Sequence, residues 1–464
     1  MFIGRKNELD ALNEYHQRSG FQMPVIYGRR RVGKTRLIRE FCRGKRAFIY
    51  VGLEQSKEDA LENFSEALLT QLPSQLTGLI KSFDTWTKAF HYLTDFAKNE
   101  RLVVVIDEYP YLAKSDPSLA STLQFIIDTE WKETQMYLIL CGSSMSFMES
   151  EVLAYKSPLY GRRTAQFKLQ AMPYGDCLEF FMSWPWEEQL YAYGICGGIP
   201  QYLEAFARHK NLKSAVIAEL LTPSGMLIEE PTNLIKQEMR EPALYNSIIA
   251  AIANGASKLN EIATAVHKES RELTTYLRAL QSLGLVEKLT PVGEKKSKKT
   301  VYRLSDNLYR FWHRFIPESL PLISLGMPDA AWATFIEPCL TECFGRIFES
   351  VCLQFIQNGV VAKTIPILYT QFGTWWGSNP KLKREEEIDV VALNNQQMLV
   401  GECKWRNEPT GMDALITLQE RARLIPGQRT ATYYLFSRSD FTDELKKQAN
   451  DAIVLVRAQE LVGL

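Results

Sequence analysis

The sequence predicts an α/β protein of several domains: a parallel sheet at the amino end, a helical middle, and a second sheet near the carboxyl end. Three stretches predict it. "VIYGRRRVGKT" (25–35) reads as a short strand, a glycine-bounded loop and the start of a helix. "RLVVVIDEYPYL" (101–112) is a continuously apolar strand ended by two carboxylates. "EEEIDVVALNNQQMLVGECKW" (385–405) alternates around a polar turn, as a hairpin does.

At 464 residues the chain exceeds what one hydrophobic core can hold. Lys and Arg number 54, as do Asp and Glu, so the net charge is zero. That excludes a globally basic nucleic-acid coat and leaves any such partner to a local patch. Apolar runs are short, which argues against a membrane span. The start, "MFIGRKNELDAL", lacks a signal-peptide core. The eight cysteines keep no framework spacing, and Cys339 and Cys343, one helical turn apart, have no second pair to complete a zinc site. Reduced thiols in a cytoplasmic protein are expected.

The first element, Gly28 to Thr35, matches G-x-x-x-x-G-K-[ST] at every fixed position. Its flanks are right: strand Val25-Ile26-Tyr27 before, and the helical Thr35 to Phe41 after. Glycines let backbone N–H groups close on an anion, and the helix start adds partial positive charge. Lys34 would reach the β- and γ-phosphates of ATP, and Thr35 would hold Mg²⁺. Gly28, Arg29, Arg30, Arg31, Val32, Gly33, Lys34, Thr35 and Arg36 form the expected nucleotide-binding set. The side chains of Arg29 to Arg31 are expected to point to solvent or a partner.

The metal needs a second ligand, and the apolar strand Leu102 to Ile106 supplies it from a neighbouring position at its carboxyl end. Asp107 would bind Mg²⁺ through water, and Glu108 would polarise the attacking water. A further strand, Met136 to Ser144, ends in small hydroxyls able to sense the γ-phosphate. Arg162 and Arg163 then precede a strand at Thr164 to Leu169. They read either as surface arginines or as catalytic groups reaching a neighbouring subunit's nucleotide in a homo-oligomer.

"FIGRKNELDAL", "GRRRVGKT", "VVVIDEYPYL", "LYGRR" and "CGGIPQYL" together resemble the archaeal-type P-loop ATPases of the STAND class, relatives of AAA+ proteins. The resemblance implies that Arg5 lies near the nucleotide. It also implies that Pro200 lines the adenine pocket from a helical lid.

From about Ala243 the texture becomes short amphipathic helices, "ALYNSIIAAIANG", "SKLNEIATAV" and "ESRELTTYLRALQSLGLV", followed by a hairpin with a lysine-rich turn. Helices followed by a hairpin form a winged-helix pattern. Arg271, Thr275 and Arg278 fall on the polar side of its third helix, and Lys295, Lys296, Lys298 and Lys299 crowd the wing tip. Either the module meets DNA phosphates there, or it is an inter-domain spacer.

In the last third, a hairpin closing over Asn394 to Gln397 would face Leu393 with Met398 and so set Asp389 opposite Glu402. Lys404 would share their face, together with the apolar Val391, Met398 and Val400. Facing carboxylates repel unless a cation lies between them, so Mg²⁺ or Mn²⁺ would convert the pair to a binding site. Asp followed by Glu-x-Lys resembles the PD-(D/E)xK nuclease core, though no proline precedes Asp389. The resemblance implies Glu349, in "FGRIFESVC", as a further metal-site carboxylate and makes Asp389, Glu402 and Lys404 catalytic. A domain can also keep this core and only bind. Trp375, Trp376, Lys381, Lys383 and Arg384 read as a loop ahead of the site, with the tryptophans either touching nucleic acid or anchoring the packing.

The expected division is a P-loop NTPase core (1–170), a helical lid (171–240), a winged helix (241–310), a connector (311–334) and a restriction-endonuclease-like α/β domain (335–464). The expected function is an ATPase coupling nucleotide state to DNA binding and nuclease-like action. The alternative is an ATP-driven signalling switch whose last domain only binds a partner.

Overall fold

Five strands build the amino-terminal sheet, and their burial follows from where each lies. β1 (Pro24–Tyr27), β2 (Ala47–Val51), β3 (Leu102–Asp107), β4 (Met136–Gly142) and β5 (Ala165–Lys168) stand in the order β2-β3-β4-β1-β5. Every neighbouring pair is parallel. The inner strands β1, β3 and β4 are buried at every residue, as strands covered by helices on both faces must be. The edge strands β2 and β5 alternate. The computed structural model describes residues 2–75, 77–294 and 299–462.

This order corrects one expectation. The strand carrying Asp107 is not beside the strand that feeds the glycine loop, because β4 lies between them. Both still end on the same edge, where the carboxyl ends of parallel strands collect ligands.

The chain divides into two units, Met1–Met172 with Ile199–Gln201, and Pro173–Gly198 with Tyr202–Leu464. In the second, helices Pro242–Ala253, Leu259–Ala265 and Ser270–Ser282 precede an antiparallel hairpin of β6 (Val286–Leu289) and β7 (Val301–Leu304). Leu273, Leu277 and Leu280 bury one side of the third helix, while Arg271, Thr275 and Arg278 are exposed. Lys295, Lys296 and Lys298 lie outside the described residues, and Lys299 pairs with Glu294 at 3.0 Å. The segment expected as a connector is largely helix: Asn307–Ser324 runs unbroken through Pro317 and Pro321. Asp306 caps it by accepting from Tyr309 N at 3.0 Å.

The last sheet holds β8 (Gln371–Asn379), β9 (Arg384–Leu393), β10 (Gln397–Lys404), β11 (Thr430–Ser437) and β12 (Ile453–Arg457), in the order β12-β11-β10-β9-β8. β8, β9 and β10 pair antiparallel, whereas β10, β11 and β12 are parallel. The parallel step from β10 to β11 needs a crossover, and the helix Met412–Ala422 supplies it. Its Leu415, Leu418 and Ala422 pack with Val391, Met398, Val400 and Leu435. On the opposite face the helix Leu340–Val361 lays Phe355 against Phe436. Trp375 and Trp376 sit within β8 rather than in a loop, and Trp375 is buried in the Val391 cluster, so for it the packing reading holds.

Candidate functional sites: a phosphate loop and a carboxylate pair

The loop between β1 and the helix Lys34–Cys42 has little freedom. A Cβ added at Gly28 would lie 2.6 Å from the carbonyl oxygen of Leu169, closer than atoms can approach. Gly33 takes φ 91°, in the left-handed region that suits glycine, with Pro200 Cγ 3.5 Å from where its Cβ would stand. Arg31 adopts φ 71° without that freedom, so the loop holds local strain.

Lys34 is buried, and its Nζ donates to the carbonyl oxygens of Gly28 at 2.8 Å and Arg29 at 3.0 Å. Thr35 Oγ1 donates to Asp107 Oδ2 at 2.7 Å. Asp107 also accepts from Glu108 N at 2.9 Å, through Oδ1. Glu108 stands in the left-handed region at φ 49°. Its carboxylate accepts from the Ser143 hydroxyl at 2.7 Å and from Ser143 N at 3.2 Å. The intervening strand β4 therefore delivers the hydroxyl that holds Glu108. Cys141 on the same strand stays a neutral thiol, because burial and then the Asp107 charge push it far above its ordinary range.

The arginines differ from expectation. Arg29 is buried rather than solvated, and Arg30 donates to the Tyr111 hydroxyl at 2.9 Å. Arg36 is exposed beside Thr35. Arg5, in a left-handed turn, is buried and donates to Val32 O at 3.1 Å and to Gln170 O. It ties the loop backbone to the segment after β5. Arg162 is closed onto its own unit by Asp128 and by the carbonyl of Pro158 at 2.8 Å. Arg163 donates to Leu153 O at 2.9 Å.

These parts fit a magnesium nucleotide. The loop would present backbone N–H groups and the buried Lys34 ammonium to phosphate, and Thr35 and Asp107, hydrogen-bonded to each other, are oxygen donors of the kind that would hold a hard cation. Residues 2–206 match an ATPase domain found predominantly in Archaea. An uncharacterised protein of Methanocaldococcus jannaschii is 34% identical over 411 residues, 88% of either chain. The chain belongs to this archaeal-type ATPase family. An uncharacterised ATP-binding protein of the same organism is 44% identical to the ATPase over 46 residues, 10% of this chain and 78% of that one. The Walker-type ATPase of Pyrococcus abyssi superposes at TM-score 0.51 with 20% identity, covering 68% of this chain and 96% of that one, and shares the fold. Residues 312–421 match a family described as archaeal and bacterial proteins of unknown function.

In the ATPase's second unit, β9 and β10 pair as their pattern predicts, Leu393 with Met398 through Val390 with Gly401. The ladder stops there, and Cys403 N donates to the Asp389 side chain at 2.8 Å. Between Gly373 and Trp375, β9 spends one residue more than β8, a bulge at Asp389 and Val390. Beyond the bulge, Ile388 falls on the same side as Val391.

Glu402 is buried, accepting from Lys404 Nζ at 2.6 Å and from Arg421 at 3.2 Å. Arg421 also grips Glu386 at 2.9 Å. Burial, then the charges of Glu402 and Glu349, hold the Asp389 carboxyl far above its usual range. Glu349 is pushed up to about 7 by burial and by Glu387. Among the described residues no group of three or more His, Cys, Asp or Glu is placed to hold a metal ion. The expected Asp389, Glu402 and Glu349 set is thus not grouped as a metal site, and Glu402 is paired instead with Lys404 and Arg421. Arg421 and Glu386 carry much of this second arrangement, and no local pattern singled them out, whereas Ser143 belongs to the small hydroxyls expected at the end of its strand.

Proposed function

We propose that this ATPase is Mg²⁺-dependent and couples its nucleotide state to a DNA-binding winged helix (241–310) and a nuclease-like domain (335–464), with residues 171–240 as the helical lid. The observation that carries the magnesium-nucleotide reading is the Thr35–Asp107 hydrogen bond at 2.7 Å beside the buried Lys34. With nucleotide bound, Lys34 exchanges the carbonyls of Gly28 and Arg29 for phosphate oxygens. Thr35 and Asp107 hold the metal, whose charge supplies phosphoryl stabilisation. Glu108 orients water once Ser143 releases it. Pro200 shapes the loop's far wall, and Arg5 keeps the loop backbone in place.

The order of elements around β8 to β12, with the Asp389 carboxylate accepting from Cys403 N between Glu402 and Lys404 in sequence, supports the nuclease-like reading. The exposed Arg271 and Arg278 support a nucleic-acid face. For Arg162 to serve a neighbouring nucleotide, its pair with Asp128 must open. A second reading, a STAND-type switch whose last domain only binds a partner, is favoured by the pairing of Glu402 with Lys404 and Arg421.

The deciding experiment is phosphate release with and without duplex DNA, together with plasmid nicking in Mg²⁺ or Mn²⁺. DNA-stimulated hydrolysis with nicking lost in Asp389→Ala supports the first reading. Hydrolysis indifferent to DNA, without nicking, supports the switch.

A further inference from the structure

The hairpin of β6 and β7 is not a free wing. Beyond Leu289 the chain runs along the outer edge of β8, where Val292 N donates to Thr374 O at 3.1 Å and Gly293 N to Gln371 Oε1 at 3.2 Å. Val292 is buried in the same apolar cluster as Trp375 and Val391. A Cβ at Gly373 would lie 2.8 Å from Val292 Cγ2, so the close approach depends on glycine there. The segment also covers the open edge of β8, which would otherwise invite strand pairing.

This docking brings β7 to the carboxylates. Arg303 faces Glu287 across the hairpin and places its guanidinium 3.3 Å from Glu387 Oε1. Its charge also acts on Glu349, as do those of Arg310 and Arg346. Glu287, Glu349, Glu387, Asp389 and Glu402 thus lie within electrostatic reach of Arg303, Arg310, Arg346 and Lys404. Arg303 retains 28% exposure and Glu387 47%, so their pair is screened by water and costs little to open. A planar guanidinium suits a phosphodiester as well as it suits a carboxylate.

We propose that Arg303 binds a polynucleotide phosphate at the C-terminal carboxylate site, so that the hairpin of the middle module completes that site. This rests on the nucleic-acid reading of the last domain. Glu387 holds the guanidinium in the free protein, and phosphate displaces it on binding.

The test uses the full chain and fluorescein-labelled single-stranded and duplex DNA, with anisotropy followed across a salt series. Arg303→Ala is expected to weaken binding about fivefold and to flatten the log–log salt slope by about one unit. Arg303→Lys should restore the slope. Glu387→Gln, which releases the guanidinium, should tighten binding, and nucleotide binding at the loop should be unchanged in every variant. A merely structural ion pair would make Arg303→Ala and Glu387→Gln behave alike, and that result overturns the proposal. So does Arg303→Ala binding like the parent with the parent's slope. A parent protein that binds neither DNA even at low salt overturns the nucleic-acid reading itself, a distinct outcome that takes this proposal with it.

Discussion

Thr35 Oγ1 lies 2.7 Å from Asp107 Oδ2, a hydrogen bond that joins the helix after β1 to the end of β3 across the intervening β4. Two side chains 72 residues apart in sequence are thereby held together. Such preorganisation is what electrostatic catalysis needs, since groups fixed in advance cost no rearrangement during reaction.

Lys34→Ala should lower the rate of ATP hydrolysis by at least about 100-fold, because its buried ammonium would neutralise phosphate charge at the start of the helix. Glu108→Gln should retain bound ATP while hydrolysis stops. Phosphate release and retained nucleotide, measured on the same preparations, check both. Full turnover in either variant contradicts the roles given to them.

Arg5→Ala removes donors from Val32 O and Gln170 O within a buried setting. The expected loss is about 2–3 kcal/mol of stability in denaturant unfolding. Nucleotide affinity should fall too, since Val32 belongs to the phosphate loop. Unchanged affinity with lowered stability would make Arg5 a brace only.

Arg421 bridges Glu386 and Glu402, both nearly fully buried. Arg421→Ala leaves Glu386 to Arg384 and Glu402 to Lys404, and should destabilise the second unit by about 2 kcal/mol. Thermal unfolding with and without Mn²⁺ reads this. Manganese that stabilises Arg421→Ala more than the parent would show that the arginine occupies a cation position.

His313 gives the pH dependence a definite sign. Burial lowers its pKa to about 4, against an ordinary 6.5. Above 6.5 the ring is neutral whether the chain is folded or not. Below 6.5 the unfolded chain takes up the proton first, so stability falls as pH drops towards 4, by at most about 1.4 kcal/mol per pH unit. Denaturant midpoints taken from pH 7 to pH 4 should show a shallower loss in His313→Phe. Parallel curves would mean that other groups govern the acid side.

The phosphate loop was legible because its chemistry is local: glycines, Lys34 and Thr35 lie within eight residues of one another. The register of β9 with β10 was legible for a similar reason, since a short turn and a period of two leave little choice. Strand order was not, because nothing in β3 itself says that β4 will pass between it and β1. The bulge at Asp389 hid as well, being a property of pairing with β8. Arg421 and Arg303 act from segments remote in sequence, on a crossover helix and on the preceding hairpin, so their meeting with Glu402 and Glu387 is visible only after folding. A run of arginines suggests solvent or a partner, yet Arg29, the first of them, is buried in the loop.

The most direct measurement is calorimetric titration of magnesium ATP into the full chain and into Lys34→Ala. Saturable uptake by the parent is predicted, weakened at least about tenfold in the variant. No uptake by the parent at millimolar nucleotide, or equal affinity in the two proteins, would contradict the assignment of the loop.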